Sequence, residues 1–288
     1  MSSKRFLILG ATGKTGTYVV EMLLKRGHAV RAFVHKNDER SSHLQQQGAE
    51  LVVGDLHNFM TLCYALEGVA GAYFVYPGEP GTPEATALFA QAAKEVALPV
   101  VVNMSMRPAR REAKSHLAFN HWIAEQVFGW SGLAVTHLKP VFFAENFLIY
   151  RQNIKRGLVQ LPYGEGRHAP IAAEDIARLI VSVLENPLPH KGQTYRLCGP
   201  REYTYEEAFA LIARVTGYPV IYENISLEMA REQWSKWRTP FEVQHVYEIV
   251  KDHAAGIFSG TDDIIGPITG QAPMGLEEFI RKHLQALE

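Results

Sequence analysis

Three glycines spaced three apart, Gly10, Gly13 and Gly16, lie between an apolar run at residues 6–9 and a helix-forming stretch at 17–26. Glycine lets the backbone turn tightly and approach a ligand closely. The first amides of the helix that follows have no partners within it, so they favour a pyrophosphate. Thr12, Lys14 and Thr15 share this loop and are candidates to contact the same phosphates. The spacing is G-x-x-G-x-x-G rather than the usual G-x-G-x-x-G, and its meaning comes from context. Gly27 closes the helix and a second apolar strand at 29–34 completes a βαβ unit. An ordinary glycine-rich turn is the alternative reading. A kinase-type phosphate loop is excluded, because it needs a glycine five residues before the Gly13-Lys14 pair, where Ile8 stands.

A second chemical candidate lies on the helix expected over residues 112–128, where His121 and Glu125 are i, i+4 neighbours. In that geometry the carboxylate can bond the imidazole, fix its tautomer and raise its pKa, making His121 a proton donor near neutral pH. The alternative is a solvated polar face on an amphipathic helix. Short-chain reductases commonly carry Tyr-x-x-x-Lys on this helix, and here no such pair occurs. The one match, Tyr247 to Lys251, falls far downstream and reads as a coincidence. His116 reads as a surface or helix-entry residue.

The nucleotide's ribose would meet the end of the second strand. NAD-selective sites usually place a carboxylate there, whereas a 2′-phosphate needs cations. The strand ends in His35-Lys36, with Arg31 and Arg40 nearby in sequence and Asp38 a little late for the ribose. NADP(H) is therefore the preferred cofactor and NAD(H) stays open, unless His35 and Lys36 form only a solvated loop. Asp55, with Leu56 after it, follows the third strand, where it either receives the adenine amino group or caps the next helix.

These residues need a frame that aligns strand ends. Strands at 51–53, 72–76, 100–104 and 134–138 alternate with helices at 58–66, 84–96 and 112–128. That alternation implies an α/β, Rossmann-type, doubly wound parallel sheet with helices on both faces, and a smaller α+β lobe on the substrate side. Ligands lie beyond the carboxyl ends of such strands. Tyr76, Pro77, Asn103, Met104, Ser105 and Pro140 stand at those positions. The proline- and glycine-rich loop from Tyr76 to Pro83 either borders the nicotinamide or is a rigid connector. Residues 1–140 read as the NAD(P)-binding domain and 141–288 as mainly the substrate-side lobe, with segments such as 194–197 crossing back. Helices are also expected at Asp175-Ile176-Ala177 and over 276–284, and Trp234 and Trp237 are expected to share a helix as packing or as a pocket wall.

A chain of 288 residues, 47% hydrophobic, can bury a full core. Its 29 basic and 30 acidic residues leave no electrostatic footprint for direct nucleic-acid binding. Only Cys63 and Cys198 occur, far apart, so neither a metal site nor a disulfide framework is expected, and a cytoplasmic location fits. Met1 to Arg5 leads directly into the first strand, so no signal peptide is expected, and no run is long enough to span a bilayer.

Together, the loop from Gly10 to Gly16, Gly54-Asp55-Leu56, His121-x-x-x-Glu125, Ser131-Gly-Leu133, Leu138-Lys-Pro140, Phe142 to Asn146 and the tail from Thr269 to Phe279 resemble the NmrA-like family of atypical short-chain dehydrogenases/reductases. The resemblance covers nearly the whole chain. It implies NADP(H) in a cleft between a Rossmann domain and a small lobe, with Pro140 and Phe142 to Asn146 at the nicotinamide end. Histidine followed four residues later by glutamate is similar to the type 2 quinone oxidoreductase subset, which makes His121 and Glu125 the catalytic candidates. The implied activity is hydride transfer from NADPH to a small aromatic acceptor, such as a quinone or azo compound, stacked near Tyr76, Phe142 or Phe143, with Asn146 close by. The alternative from the same family is a non-enzymatic NADP(H) sensor that regulates a partner protein. A homodimer is compatible with either. Relatives often carry arginine where His35 and Lys139 stand, which keeps NAD use open.

Overall fold

The computed structural model describes residues 3–287. Met1 and Ser2, the start of the segment leading into the first strand, lie outside the described residues. The first apolar run forms β1 (Arg5–Leu9), buried along its last four residues. Then α1 (Lys14–Lys25) begins inside the glycine loop, earlier than its helical pattern suggested, because extended Gly13 serves as N-cap. The alternation continues through β2 (Ala29–Val34), α2 (Glu39–Gln46), β3 (Glu50–Val53), α3 (Phe59–Leu66), β4 (Gly71–Phe74), α4 (Thr82–Glu95), β5 (Val101–Met104), α5 (His116–Ser131) and β6 (Val135–Pro140). The expected start of α5 at residue 112 is corrected to His116. The Ser115 side chain accepts the Ala118 amide at 3.1 Å and fixes the helix there. At its other end the helix runs on to Ser131, where left-handed Gly132 stops it.

The remaining chain forms a 3-10 segment (Ala144–Tyr150), α6 (Arg151–Lys155), β7 (Leu158–Leu161), α7 (Ala173–Glu185), β8 (Thr194–Leu197), α8 (Tyr205–Thr216), β9 (Ile221–Asn224), α9 (Leu227–Trp234), α10 (Pro240–Ala254), α11 (Ile265–Thr269), α12 (Leu276–Lys282) and α13 (Leu284–Leu287). The single closing helix expected over 276–284 is two helices, broken at His283. Trp234 and Trp237 do not share a helix, since α9 ends at Trp234. Trp234 packs against the core of the second half, while Trp237 is 66% exposed.

Seven parallel strands form the main sheet, in the order β3-β2-β1-β4-β5-β6-β8, and β7 pairs with β9 in a second, two-stranded parallel sheet. Period-2 alternation divides β1 between two cores. Phe6 and Ile8 pack with Val19, Leu23, Ile176 and Ile180 of α1 and α7. Leu7 and Leu9 face Leu62, Phe89 and Phe128 of α3, α4 and α5. Each fully buried side chain of this kind contributes about 1.5–3 kcal/mol. A third core joins Phe147, Val159, Phe209, Ile212 and Phe279, and holds the 3-10 segment in place. No helix among the described residues is long and apolar enough to cross a membrane.

Candidate functional site

Strand order reverses between β1 and β4, the place where an open parallel sheet leaves a crevice beyond its carboxyl ends. A cleft of about 700 Å³ opens there. Its lining includes Gly10, Thr12, Gly13, Lys14, Thr15, His35, Asp55, Leu56, Tyr76, Pro77, Met104 and Phe143, all candidates from the sequence.

The glycine loop is a cradle made of backbone. Gly10 adopts a φ of +58°, and a Cβ there would stand 2.6 Å from Val75 Cγ1. The Gly13 amide donates to the Gly10 carbonyl at 2.8 Å, and no side chain caps α1. The unpaired amides of the first turn and the positive end of the helix dipole are thus left for an anion. Gly16 is buried and does not line the cleft. A Cβ there would stand 2.1 Å from the Gly10 carbonyl, so this glycine permits the close contact of helix and loop rather than touching a ligand. Thr15 turns its hydroxyl inward to Tyr73, at 2.8 Å.

At the end of β2, His35 and Arg40 line the cleft, whereas exposed Lys36 does not. Arg40 reaches it from the first turn of α2, where Asp38 caps the helix and pairs with the guanidinium at 2.7 Å. Arg31 is removed from consideration as a phosphate partner. It is buried, bonds Glu50 at 3.0 Å and donates to the carbonyls of Tyr64, Ala65 and Glu67 at the end of α3. Asp55 is not the cap of α3, a role taken by Asn58. Its carboxylate accepts the His57 amide at 2.8 Å, and that bond holds its pKa below the ordinary range. The His57 ring meets Tyr76 edge-on at 5.8 Å, and the Tyr76 hydroxyl donates to the Pro80 carbonyl at 3.1 Å. The proline- and glycine-rich loop therefore borders the cleft through Tyr76, Pro77 and Glu79.

The catalytic candidates from sequence, His121 and Glu125, are not among the residues that line the cleft, and their surroundings are built differently. The expected His121–Glu125 bond does not form. Glu125 instead accepts from the Ser105 hydroxyl and pairs with the Lys139 ammonium at 3.0 Å, while Lys139 also donates to the Ala109 carbonyl at 2.7 Å. The stronger partners lie on other strands: Ser105 directly follows β5, and Lys139 lies on β6. His121 is buried, and burial, aided by nearby His245 and Lys139, pushes its pKa down to about 4. Its imidazole is therefore neutral near pH 7, the reverse of the expectation from helical spacing. Asn103 turns its amide to His137 at 3.0 Å, its register partner across β5 and β6. Phe142 stacks on Phe258 at 4.5 Å and meets His168 at 4.9 Å, inside the second half of the molecule. Asn103, Ser105, Pro140 and Phe142 are thus absent from the cleft lining, and Phe143, the next residue along, is present. Asn146 is reached by Lys14, whose ammonium donates to its side-chain oxygen at 3.2 Å and ties the glycine loop to the 3-10 segment.

Gly54, named from sequence with Asp55 and Leu56, also lines the cleft, as do Phe33, Val34, His57, Val75 and Glu79, which were not singled out as site residues. Val34 and Val75 sit at or just past strand ends, the signal that could have found them. Among the described residues, no group of three or more His, Cys, Asp or Glu side chains is placed to hold a metal ion.

The family model described as NmrA-like family matches residues 2–280. An NAD(P)H azoreductase of Xenophilus azovorans is 30% identical over 288 residues, covering 97% of this chain and 98% of that protein. An NADPH-dependent quinone oxidoreductase from Escherichia coli, solved with NADPH, superposes with a TM-score of 0.86 at 23% identity, covering 97% of this chain and 99% of that one. NmrA, a negative transcriptional regulator solved with NADP, superposes with a TM-score of 0.83 at 18% identity over 99% of this chain and 96% of that one.

Proposed function

The chain belongs to the NmrA-like family, and from that premise we propose that it is an NAD(P)H-dependent oxidoreductase, preferring NADPH, that reduces a small aromatic acceptor of the quinone or azo class. The observation that carries this reading is the cleft itself: a phosphate cradle built mainly of backbone at one end and an aromatic mouth at Tyr76 and Phe143 on the other side of the sheet's switch point. The azoreductase relative, matched over nearly its whole length, supports the acceptor class.

The residues fit a dinucleotide. The first-turn amides of α1 and Lys14 would hold the pyrophosphate, Arg40 and His35 a 2′-phosphate, and Asp55 the adenine side. When bound, the nicotinamide supplies the hydride. The protein's part is to orient and enclose. Met104 and Phe143 would flank the reacting end, Tyr76 would offer a ring to an aromatic acceptor, and the Lys14–Asn146 bond ties the 3-10 segment to the loop. Glu125 serves as a positioning residue in this scheme, holding Ser105 and Lys139 behind Met104. His121 is buried and does not line the cleft, so in this reading the proton that completes reduction comes from solvent. Quinones and azo compounds are electrophilic already, and positioning carries most of the rate.

The same missing donor is what a nucleotide sensor would tolerate, which keeps that second reading alive. Oxidation of NADPH and NADH by the purified protein against quinones and azo dyes separates the two. Acceptor-dependent oxidation supports the reductase; cofactor binding without turnover on any acceptor supports the sensor.

A further inference from the structure

Lys14 opens α1 and lines the cleft, so its side chain stands at the phosphate cradle. A lysine carries its charge on a flexible stem, and holding that charge in one place costs rotamer freedom. In this chain the charge has a fixed partner, because the Lys14 ammonium donates to the side-chain oxygen of Asn146 at 3.2 Å. Asn146 is half-buried and does not itself line the cleft. Its reach into the cleft is through Lys14.

Asn146 is held by anchored neighbours. Glu145, before it, accepts the Ala173 amide at 2.9 Å at the start of α7. Phe147, after it, is buried in the third core. The Asn146 amide donates to the Phe143 carbonyl at 3.0 Å, and the Ala144 amide to the Ile171 carbonyl at 2.8 Å. These contacts make Asn146 a fixed post on the second half of the molecule, facing a loop that belongs to the first. The chemistry of the post matters too. An ammonium has three donors, and a neutral amide oxygen takes one of them without cancelling the charge, as a carboxylate would. The remaining N–H groups and the charge stay available to an anion.

We propose that Asn146 is a positioning residue for the cofactor: it holds the Lys14 ammonium, still charged, at the rim of the cradle, ready for the pyrophosphate. A side chain ordered in advance spends less of its binding energy on ordering when the ligand arrives. The proposal rests on the reading of the cradle as a pyrophosphate site, and it does not depend on which acceptor, if any, is reduced. It moves Asn146 from the acceptor, where the family resemblance put it, to the cofactor.

The test is titration of the full chain with NADP+, NAD+ and 2′-AMP, the last of which carries a 2′-phosphate but no pyrophosphate. Asn146→Ala should weaken NADP+ and NAD+ by the same factor, about three- to tenfold, and leave 2′-AMP unchanged. Asn146→Asp keeps the shape but should weaken both dinucleotides at least as much, because its carboxylate would pair with the ammonium. A merely structural post would tolerate that change, and this variant carries the test if Asn146→Ala does not fold by circular dichroism. In a Lys14→Met background, Asn146→Ala should have no further effect. Unchanged dinucleotide affinity in Asn146→Ala, an equal loss of 2′-AMP, tolerance of Asn146→Asp, or an undiminished effect in Lys14→Met overturns the proposal. The reading beneath it fails separately, if Lys14→Met leaves the affinity for both dinucleotides unchanged.

Discussion

The two ends of the cleft are built from different materials. At the phosphate end, the surface offered to a ligand is mostly backbone: left-handed Gly10, extended Gly13 and the uncapped start of α1. At or just past the ends of β4, β5 and β6 it is side chains, those of Tyr76, Met104 and Phe143, and the neighbouring residues that do not line the cleft are oriented by partners from other elements, as with Glu125 on Lys139 and Ser105, Asn103 on His137 and Phe142 on Phe258. A backbone-built site is specified by local residue types, because glycine is needed wherever φ is positive or atoms crowd. A side-chain-built site is decided by tertiary competition, in which a helical i, i+4 neighbour is only one of several bidders.

Substitutions at each end should separate the two. The largest effect belongs to Gly16→Val, whose first side-chain carbon would overlap the Gly10 carbonyl at 2.1 Å. NADPH affinity should fall by about a hundredfold or more, some 2.7 kcal/mol, in a fluorescence titration. Near-native affinity would mean that the cradle is not rigid.

Acidification probes the side-chain-built regions as a group. Burial lowers His121, His137, His245 and His253 to about 4 each. An imidazole whose folded pKa is depressed stays neutral in the fold while the unfolded chain takes up a proton near pH 6.5. Stability is therefore complete above about pH 7 and falls as the pH drops from about 6.5 toward 4, by about 1–2 kcal/mol per group at pH 5. Thermal melts across that window should show the loss, and a flat profile from pH 7 to 5 would contradict the burial of these rings.

Glu125→Gln removes the charge that Lys139 faces while keeping the shape. Their side chains are 11% and 15% exposed, so the loss should be about 2–3 kcal/mol in denaturant unfolding. NADPH affinity should change less than about twofold, because the cradle is elsewhere. A large fall in affinity with unchanged stability would break the distinction between the two ends.

Arg40→Ala should weaken NADPH about tenfold, roughly 1.4 kcal/mol, and NADH hardly at all. Lys36→Ala, outside the cleft lining, should do less. Equal losses for both cofactors in Arg40→Ala would remove it from the 2′-phosphate. The smallest effect is expected at His121. His121→Asn should change turnover less than about threefold, since the buried ring does not line the cleft. A hundredfold fall in turnover with unaltered NADPH affinity would restore His121 as the acid.

The same contrast governs what the sequence made legible. Strand ends could be read because apolar runs of four to six residues recur between helices, and β2 occupies the expected residues 29–34. Helix starts were less legible: α1 begins within the glycine loop, and Ser115 delays α5 to His116. Arg31 looked available because its number is close to His35, yet alternation along β2 sends it to the carbonyls ending α3. The Glu125–Lys139 pair was not legible at all, since it requires that β6 lie beside β5 and under α5.

The central claim is that this cleft performs hydride transfer rather than mere nucleotide recognition. Its most direct measurement is single-turnover mixing of the protein with NADPH carrying deuterium at the transferable C4 position and a quinone or azo acceptor. Cofactor oxidation that requires the acceptor, proceeds at a rate lowered by the deuterium and consumes one equivalent of acceptor is the predicted result. Tight NADPH binding with no acceptor-dependent oxidation and no isotope sensitivity across the acceptor panel would contradict it.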